Sequence, residues 1–329
     1  MKKVINLPIL LVLLVTIGFA LGPHYQKSTG NRLGVLDSHV HLMSPGLVKL
    51  FKDTGIPFSK PDNAYTDIEE ITERLGTKRF KVISMAYIWG HPQFNKVEKV
   101  YEKVKAENDY VLDSRKFSGV SLKAYCGVNP LKDYALKELK RCRKAGADGF
   151  KFHFNANQVY LTEAEHIEKI KPLFKYLAIV KKPILLHFDN SHPKTGKRDV
   201  DLFFDKVLSE TEAMEIQIAH FGTSGRFTDK TAVILDAFVD KLDKGTKKER
   251  RHRILFDISA VALDKKSEAG PALTKKEFVR ITEYVRKLGP ERVVFGSDYP
   301  LYTTDEYKSV LDEKLDLTDE ELKVLLNAK

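Results

Sequence analysis

Cysteine is nearly absent from this chain. Two thiols, Cys126 and Cys142, are spread over 329 residues, with no paired spacing of the zinc-finger kind. Cys126 falls in an apolar run that reads as a strand, and Cys142 well down the helical pattern after it. That placement argues against a Cα separation under about 7 Å, so two free thiols are expected, although an oxidising compartment would permit a pair. An RNA-binding aromatic motif and a basic region with heptads are also missing, so nucleic acid is not an expected partner. No Gly-rich turn follows the first apolar run, as an open doubly wound sheet commonly carries. No linker or break in composition divides residues 34–329, which points to one domain there.

Charge and apolar residues are plentiful. Lys and Arg number 55 against 45 Asp and Glu, a formal charge of +10. The excess is mostly lysine, spread among helix-face acids, and the one dense cluster, KGTKKERRHR at 244–253, reads as a solvated loop. A hydrophobic content of 43% with 10% aromatics indicates a globular chain with a substantial core. The longest apolar run is at the start, where MKKVINLPILLVLLVTIGFALG places two lysines before an uncharged stretch. That is the layout of a secretory signal, with Gly18-Phe19-Ala20 as a small-x-small cleavage site before Leu21. The run is also long enough to remain as a membrane anchor. Either way the folded part is expected outside the cytoplasm, periplasmic or extracellular, or held at a membrane. Residues 1–22 are read as signal or anchor, 23–33 as a linker and 34–329 as the catalytic domain.

From residue 34 onward, short apolar runs alternate with amphipathic ones. RLGVLDSHVHL, RFKVISMAY, SGVSLKAYCGV, GADGFKFHF, KPILLHFD, MEIQIAHFG, HRILFDISAVA and RVVFGSDYP are rich in Val, Ile and Phe and bounded by Gly, Pro or polar residues, as strands are. Between them NKVEKVYEKVKAEN, YALKELKRCRKAG, TEAEHIEKIKPLFKYLAIV and TKKEFVRITEYVRKLG keep apolar residues three and four apart. Eight β-then-α repeats point to a closed parallel (β/α)8 TIM barrel with a helical jacket.

His39 and His41 stand two residues apart at the end of the first run, so they share a face of the strand. His187, His220 and Asp298 each stand where another apolar run gives way to its loop. In a barrel those ends converge at the C-terminal mouth, where active sites are built. Imidazoles and a carboxylate gathered there make a divalent-metal site, suited to zinc and also to iron, manganese or cobalt.

These residues carry a resemblance. The chain is similar to the amidohydrolase superfamily, in particular its amidohydrolase-related branch, which includes aminocarboxymuconate-semialdehyde decarboxylase and related hydrolases and lactonases. The resemblance rests on LDSHVHL, GFKFH, LLHFD, IAHFG, FGSDYP and a closing LTDEELKVLLNAK, and covers nearly all of residues 34–328. It implies that His39, His41, His187 and Asp298 hold one metal, with His220 hydrogen-bonded to the water there or acting as acid/base. In binuclear relatives His187 and His220 hold a second metal, bridged by a carboxylated lysine, for which Lys151 has the matching position.

Such a site supplies an activated water and a polarised carbonyl, with Asp298 and His220 exchanging protons. The reading is therefore a hydrolase of an amide, ester or lactone, with a non-oxidative decarboxylase as the alternative and a non-catalytic metal- or ligand-binding barrel as the third. The partner is a small-molecule substrate, with a homodimer left open and the membrane engaged only through an uncleaved N-terminal segment. Arg226, His153 and Trp89 are the candidates for holding the substrate, with His91, His192 and Lys194 beside them on loops. Arg226 and Lys194 together would favour an anionic one.

Overall fold

Alternation at period two shapes the centre of this molecule. In the computed structural model, which describes residues 34–56, 58–94, 96–267 and 270–327, the eight apolar runs become eight parallel strands in sequential order. They are β1 (Leu36–Leu42), β2 (Arg79–Ser84), β3 (Ser121–Gly127), β4 (Gly149–His153), β5 (Ile184–His187), β6 (Glu215–Ile218), β7 (Arg253–Asp257) and β8 (Val293–Val294). Successive side chains point to opposite faces. Phe80 and Val82, Phe150 and Phe152, and Ile216 and Ile218 join the large apolar cluster shared with the helices. The residues between them turn inward, and Lys81 of β2 reaches across the interior to Gln217 of β6, with its Nζ 2.8 Å from the Gln217 Oε1.

The barrel closes where β1 meets the segment after β8. Ser38 N donates to Phe295 O and His41 N to Tyr299 O, both at 3.0 Å. Asp37 ties the same seam from its side chain, accepting from Ser297 N at 2.9 Å and Thr304 Oγ1 at 2.7 Å. Helices follow the strands and cover the outside, among them Val100–Asp113, Ala135–Lys144, Ala164–Ile179, Asp229–Lys244 and Lys275–Leu288. The pattern NKVEKVYEKVKAEN starts its helix later than its periodicity suggests, at Val100. A second apolar cluster, with Met43, Leu47, Phe51, Tyr65, Trp89 and Phe94, packs the loops after β1 and β2.

Cys126 and Cys142 are both buried and free. The expected N-terminal signal or anchor and the expected linker after it lie outside the described residues. Among the described residues no helix is long and apolar enough to cross a membrane.

Candidate metal centre

The barrel brings the expected side chains to one place, though not all from strands. His39 and His41 lie on β1 and His187 ends β5. His220 instead stands in a 3-10 turn after β6, and Asp298 in the loop after β8. Both have left-handed backbones, with φ of 52° and 55°, so a sharp turn, rather than a strand's pleat, aims each side chain. A non-glycine residue there carries backbone strain of the kind that clusters at functional sites.

The rings of His39 and His41 are 5.0 Å apart, those of His39 and His220 4.9 Å, and those of His187 and His220 5.2 Å. Asp298 Oδ1 lies 3.4 Å from His39 Nε2 and 3.3 Å from His41 Nε2. His39, His220 and Asp298 each offer a ligand atom, all within 4.8 Å of one another. His187 is displaced to one side, its Nε2 3.2 Å from Ser224 Oγ and its ring stacked on that of His153 at 3.8 Å.

A test of fit comes from the polar atoms left over. His39 Nε2, His187 Nδ1 and Asp298 Oδ1 are buried without a hydrogen-bond partner, and leaving such groups unpaired costs about 1–3 kcal/mol each. A cation beside His39 Nε2 and Asp298 Oδ1, which lie 3.4 Å apart, removes that cost for both. Imidazole nitrogens with a carboxylate oxygen are the donor set of zinc, iron, manganese and cobalt sites, so the residues fit a divalent metal.

The electrostatics favour the ligand forms. Burial, then the charge of Lys151, pushes the His39 imidazole down to about 3 against the pull of Asp257 and Asp298. Burial also lowers His41 and, with its neighbour His153, His187. Neutral imidazoles are the form that binds metal. Burial raises Asp298, but the neighbouring His220, His39 and His41 outweigh it and hold the carboxyl below its usual range. Lys151 is wholly buried on β4 and lowered to about 8 by burial, against the attraction of Asp257 and Asp298. It stands on β4 between Phe150 and Phe152, at the position the resemblance assigns to a bridging lysine.

A supporting layer beneath the cluster was not singled out in the sequence. Asp257 ends β7 and accepts from His39 Nδ1 at 3.0 Å, Gln217 Nε2 at 2.9 Å and His220 N at 3.0 Å. It also accepts from Ser259 N at 3.2 Å and from the Ser259 hydroxyl. The signal was present: ILFDIS closes an apolar run with an acid just as VFGSDYP does.

The substrate candidates fare unevenly. His153 stands half-buried beside the cluster, packs on His187 and Tyr87, and accepts from Ala156 N through Nδ1 at 3.1 Å. Trp89 is buried in the apolar cluster of the loops, with Lys103 Nζ 5.6 Å from its ring centre. Arg226 is a correction. Its guanidinium donates to Pro271 O at 3.1 Å and to Glu277 at 2.8 Å, so its charge is spent on bracing loops and is not free for a substrate carboxylate. His192 and Lys194 are exposed, with Lys194 N donating to His192 Nδ1 at 3.1 Å; His91 is buried and accepts from Gln93 N at 3.0 Å.

Comparison with known proteins agrees with this geometry. A family model described as Amidohydrolase matches residues 36–327. No curated protein matches the chain. Among solved structures, 2,6-dihydroxybenzoate decarboxylase from Rhizobium is similar at 12% identity and a TM-score of 0.59, over 90% of this chain and 96% of the other. The 5-carboxyvanillate decarboxylase from Sphingomonas paucimobilis is 11% identical with a TM-score of 0.60, over 89% and 96%. A dihydroxybenzoic acid decarboxylase from a Polaromonas species, holding manganese and the inhibitor 2-nitroresorcinol, is 12% identical with a TM-score of 0.59, over 90% and 95%. At such identities the likeness is one of fold.

Proposed function

Since the chain belongs to the amidohydrolase family, whose match spans residues 36–327, we propose that it is a metal-dependent enzyme that removes a carboxylate from a small substrate as carbon dioxide, without oxidation. The observation that supports the metal is the gathering of ligand atoms from His39, His220 and Asp298 within 4.8 Å of one another, with His39 Nε2 and Asp298 Oδ1 buried and unpartnered. The choice of decarboxylation over hydrolysis draws on the similar structures, three of which are decarboxylases of hydroxylated aromatic acids. In this reading the cation is held by His39, His41, His187 and Asp298. Zinc suits those donors, and the manganese of the Polaromonas enzyme is the other metal to load.

A divalent cation there would hold and polarise a substrate carboxylate or hydroxyl oxygen and bring a water's pKa from 15.7 towards about 7. The protein's own groups handle the proton. Asp298, whose carboxyl is held below its usual range, accepts a proton and returns it. His220, between His39 and His187, carries a proton to the carbon that bears the carboxylate. The carbon–carbon bond then breaks, its electron pair restores the substrate's own bonding, and carbon dioxide leaves with no change of redox state. Burial of the cluster keeps bulk water from competing.

Hydrolysis of an ester, lactone or amide is the second reading. It is favoured by the ionised Asp298 carboxylate beside the ligand atoms, which is what attack by water needs from a base. Residues 1–22 read as an export signal or anchor, and with either the reaction would take place outside the cytoplasm.

The test is to load the full chain with zinc or manganese and supply hydroxylated benzoates on one side and esters, lactones and amides on the other. Carbon dioxide release supports decarboxylation, and acid release without it supports hydrolysis. Tight metal without turnover of any class defeats both. The N-terminal residue of the protein recovered from cells, read by mass spectrometry, tests export.

A further inference from the structure

We propose that Asp257 and Ser259 of the β7 segment form a tautomer clamp. Together they force His39 and His220 to carry their ring proton on Nδ1, and so to turn an Nε2 lone pair towards the cation site. The consequence for metal rests on the reading above; the clamp itself rests only on hydrogen-bond geometry.

A neutral imidazole carries one proton, and only its bare nitrogen binds metal. Around His39 Nδ1 lie Asp257 Oδ2 at 3.0 Å and Ser259 Oγ at 3.1 Å. Around His220 Nδ1 lie the Ser259 carbonyl oxygen at 2.8 Å and Ser259 Oγ at 3.0 Å. A carboxylate and a carbonyl have no proton to give. The Ser259 hydroxyl has one, and it is donated to Asp257 Oδ1. Every atom facing the two Nδ1 positions is then an acceptor, and each Nδ1 must be the donor.

The direction of this network is anchored from further away. Amide ends are ordinarily ambiguous, but Lys81 Nζ has only protons to offer and meets Gln217 Oε1 at 2.8 Å. The Gln217 amino group therefore faces Asp257 Oδ2 at 2.9 Å and Ser38 Oγ at 3.0 Å. Asp257 gathers five donors, from His39, Gln217, the backbones of His220 and Ser259, and the Ser259 hydroxyl. So many donors stabilise its ionised, accepting form. Asp257 and Ser259 are positioning residues, acting on the cation through the two imidazoles.

Asp257→Asn separates this role from simple packing. Three donors converge on the Oδ1 side, so the new amide oxygen stays there and its amino group takes the place of Oδ2. A donor then faces His39 Nδ1 where the carboxylate was, leaving the Ser259 hydroxyl at 3.1 Å as its one remaining acceptor, so the ring shifts towards the Nε2–H form and loses its Nε2 lone pair. His220 keeps its tautomer, because its Nδ1 partners belong to Ser259.

The experiment uses full-length protein labelled with 15N-histidine and stripped of metal by chelation. Long-range 1H–15N correlations separate the two tautomers, and spectra of His39→Gln and His220→Gln assign the signals. Nδ1–H on both rings in the unsubstituted protein is the expected result, and Nε2–H on either overturns the clamp, so the proposal is decided even if the Asn variant fails to fold. In Asp257→Asn the His39 signal alone should change, with cobalt(II) affinity, read by chelator competition, falling about 10–100-fold. An unchanged His39 tautomer in a folded variant also overturns the proposal. Nδ1–H on both rings without any cobalt binding would uphold the clamp and defeat the metal reading instead.

Discussion

Asp298 sits at a φ of 55°, a backbone region that Asp and Asn enter more readily than most residues. Asp298→Asn therefore leaves the loop after β8 its shape while replacing an ionised carboxylate by an amide. We expect the fold and most of the metal to persist and turnover to fall by about 10²–10⁴-fold, the usual worth of a placed proton acceptor. Rate and metal content measured on the same preparation check this, and ordinary rates would remove Asp298 from the chemistry. His220, at φ 52°, tolerates asparagine for the same reason. His220→Asn should slow the reaction and spare the metal if one cation is held by His39, His41, His187 and Asp298; losing half of it would reveal two. These residues are legible in the sequence because an imidazole or carboxylate at the end of an apolar run has no core role to explain it. Asp257 escaped because its worth lies in five donors brought from β1, β6 and its own turn. Arg226 misled for the converse reason: its partner Glu277 is 51 positions away, and one sequence does not show that its charge is already spent.

Periodicity shows which elements form, and less of how they are joined. All eight strands fall inside the apolar runs, because a strand with both faces covered needs apolar residues throughout. Their ends are set by pairing instead, so β8 keeps only Val293–Val294 while the chain beyond it still bonds to β1. The joint between β1 and its first helix is another feature hidden from pattern. Ser44 caps the helix Pro45–Asp53, and its backbone N and hydroxyl both donate to Glu107 of the helix Val100–Asp113. Burial raises the Glu107 carboxyl from 4.5 to about 7, against the opposing hydrogen bonds from Ser44. A carboxyl raised by folding stabilises the fold while protonated, below its unfolded value. That contribution is lost as pH climbs from about 4.5 through about 7, a difference of the order of 3 kcal/mol. Glu107→Gln keeps an acceptor for Ser44 N and offers donors to its hydroxyl, without the charge. It should match the parent near pH 4.5 and exceed it in stability above pH 7, as urea midpoints at both pH values would show. An advantage that does not grow with pH would mean the carboxylate is not paying a burial cost there.

At the scale of the whole barrel, the cation site is a meeting point of distant chain. His39 and Asp298 are 259 positions apart, yet His39 Nε2 and Asp298 Oδ1 lie 3.4 Å from each other. They sit beside the seam where β1 and the segment after β8 close the cylinder through Ser38, His41 and Asp37. A metal held as proposed joins β1, β5 and the loop after β8, and unfolding must release it. Binding to the folded state alone adds stability by mass action, about 4 kcal/mol when the free metal is a thousand times its dissociation constant. For a chain of this length that is a rise in melting temperature of roughly 8 °C. We expect the chelated protein to melt lower by about that amount and zinc or manganese to restore the difference. His39→Ala should melt at one temperature whether or not metal is added, since the ring that links the site to Asp257 is gone. A response to metal that survives in His39→Ala would place the cation elsewhere in the molecule. No response in the parent chain would mean that the unpartnered atoms of His39, His187 and Asp298 are not completed by a metal. Their burial would then be a cost that the rest of the barrel carries.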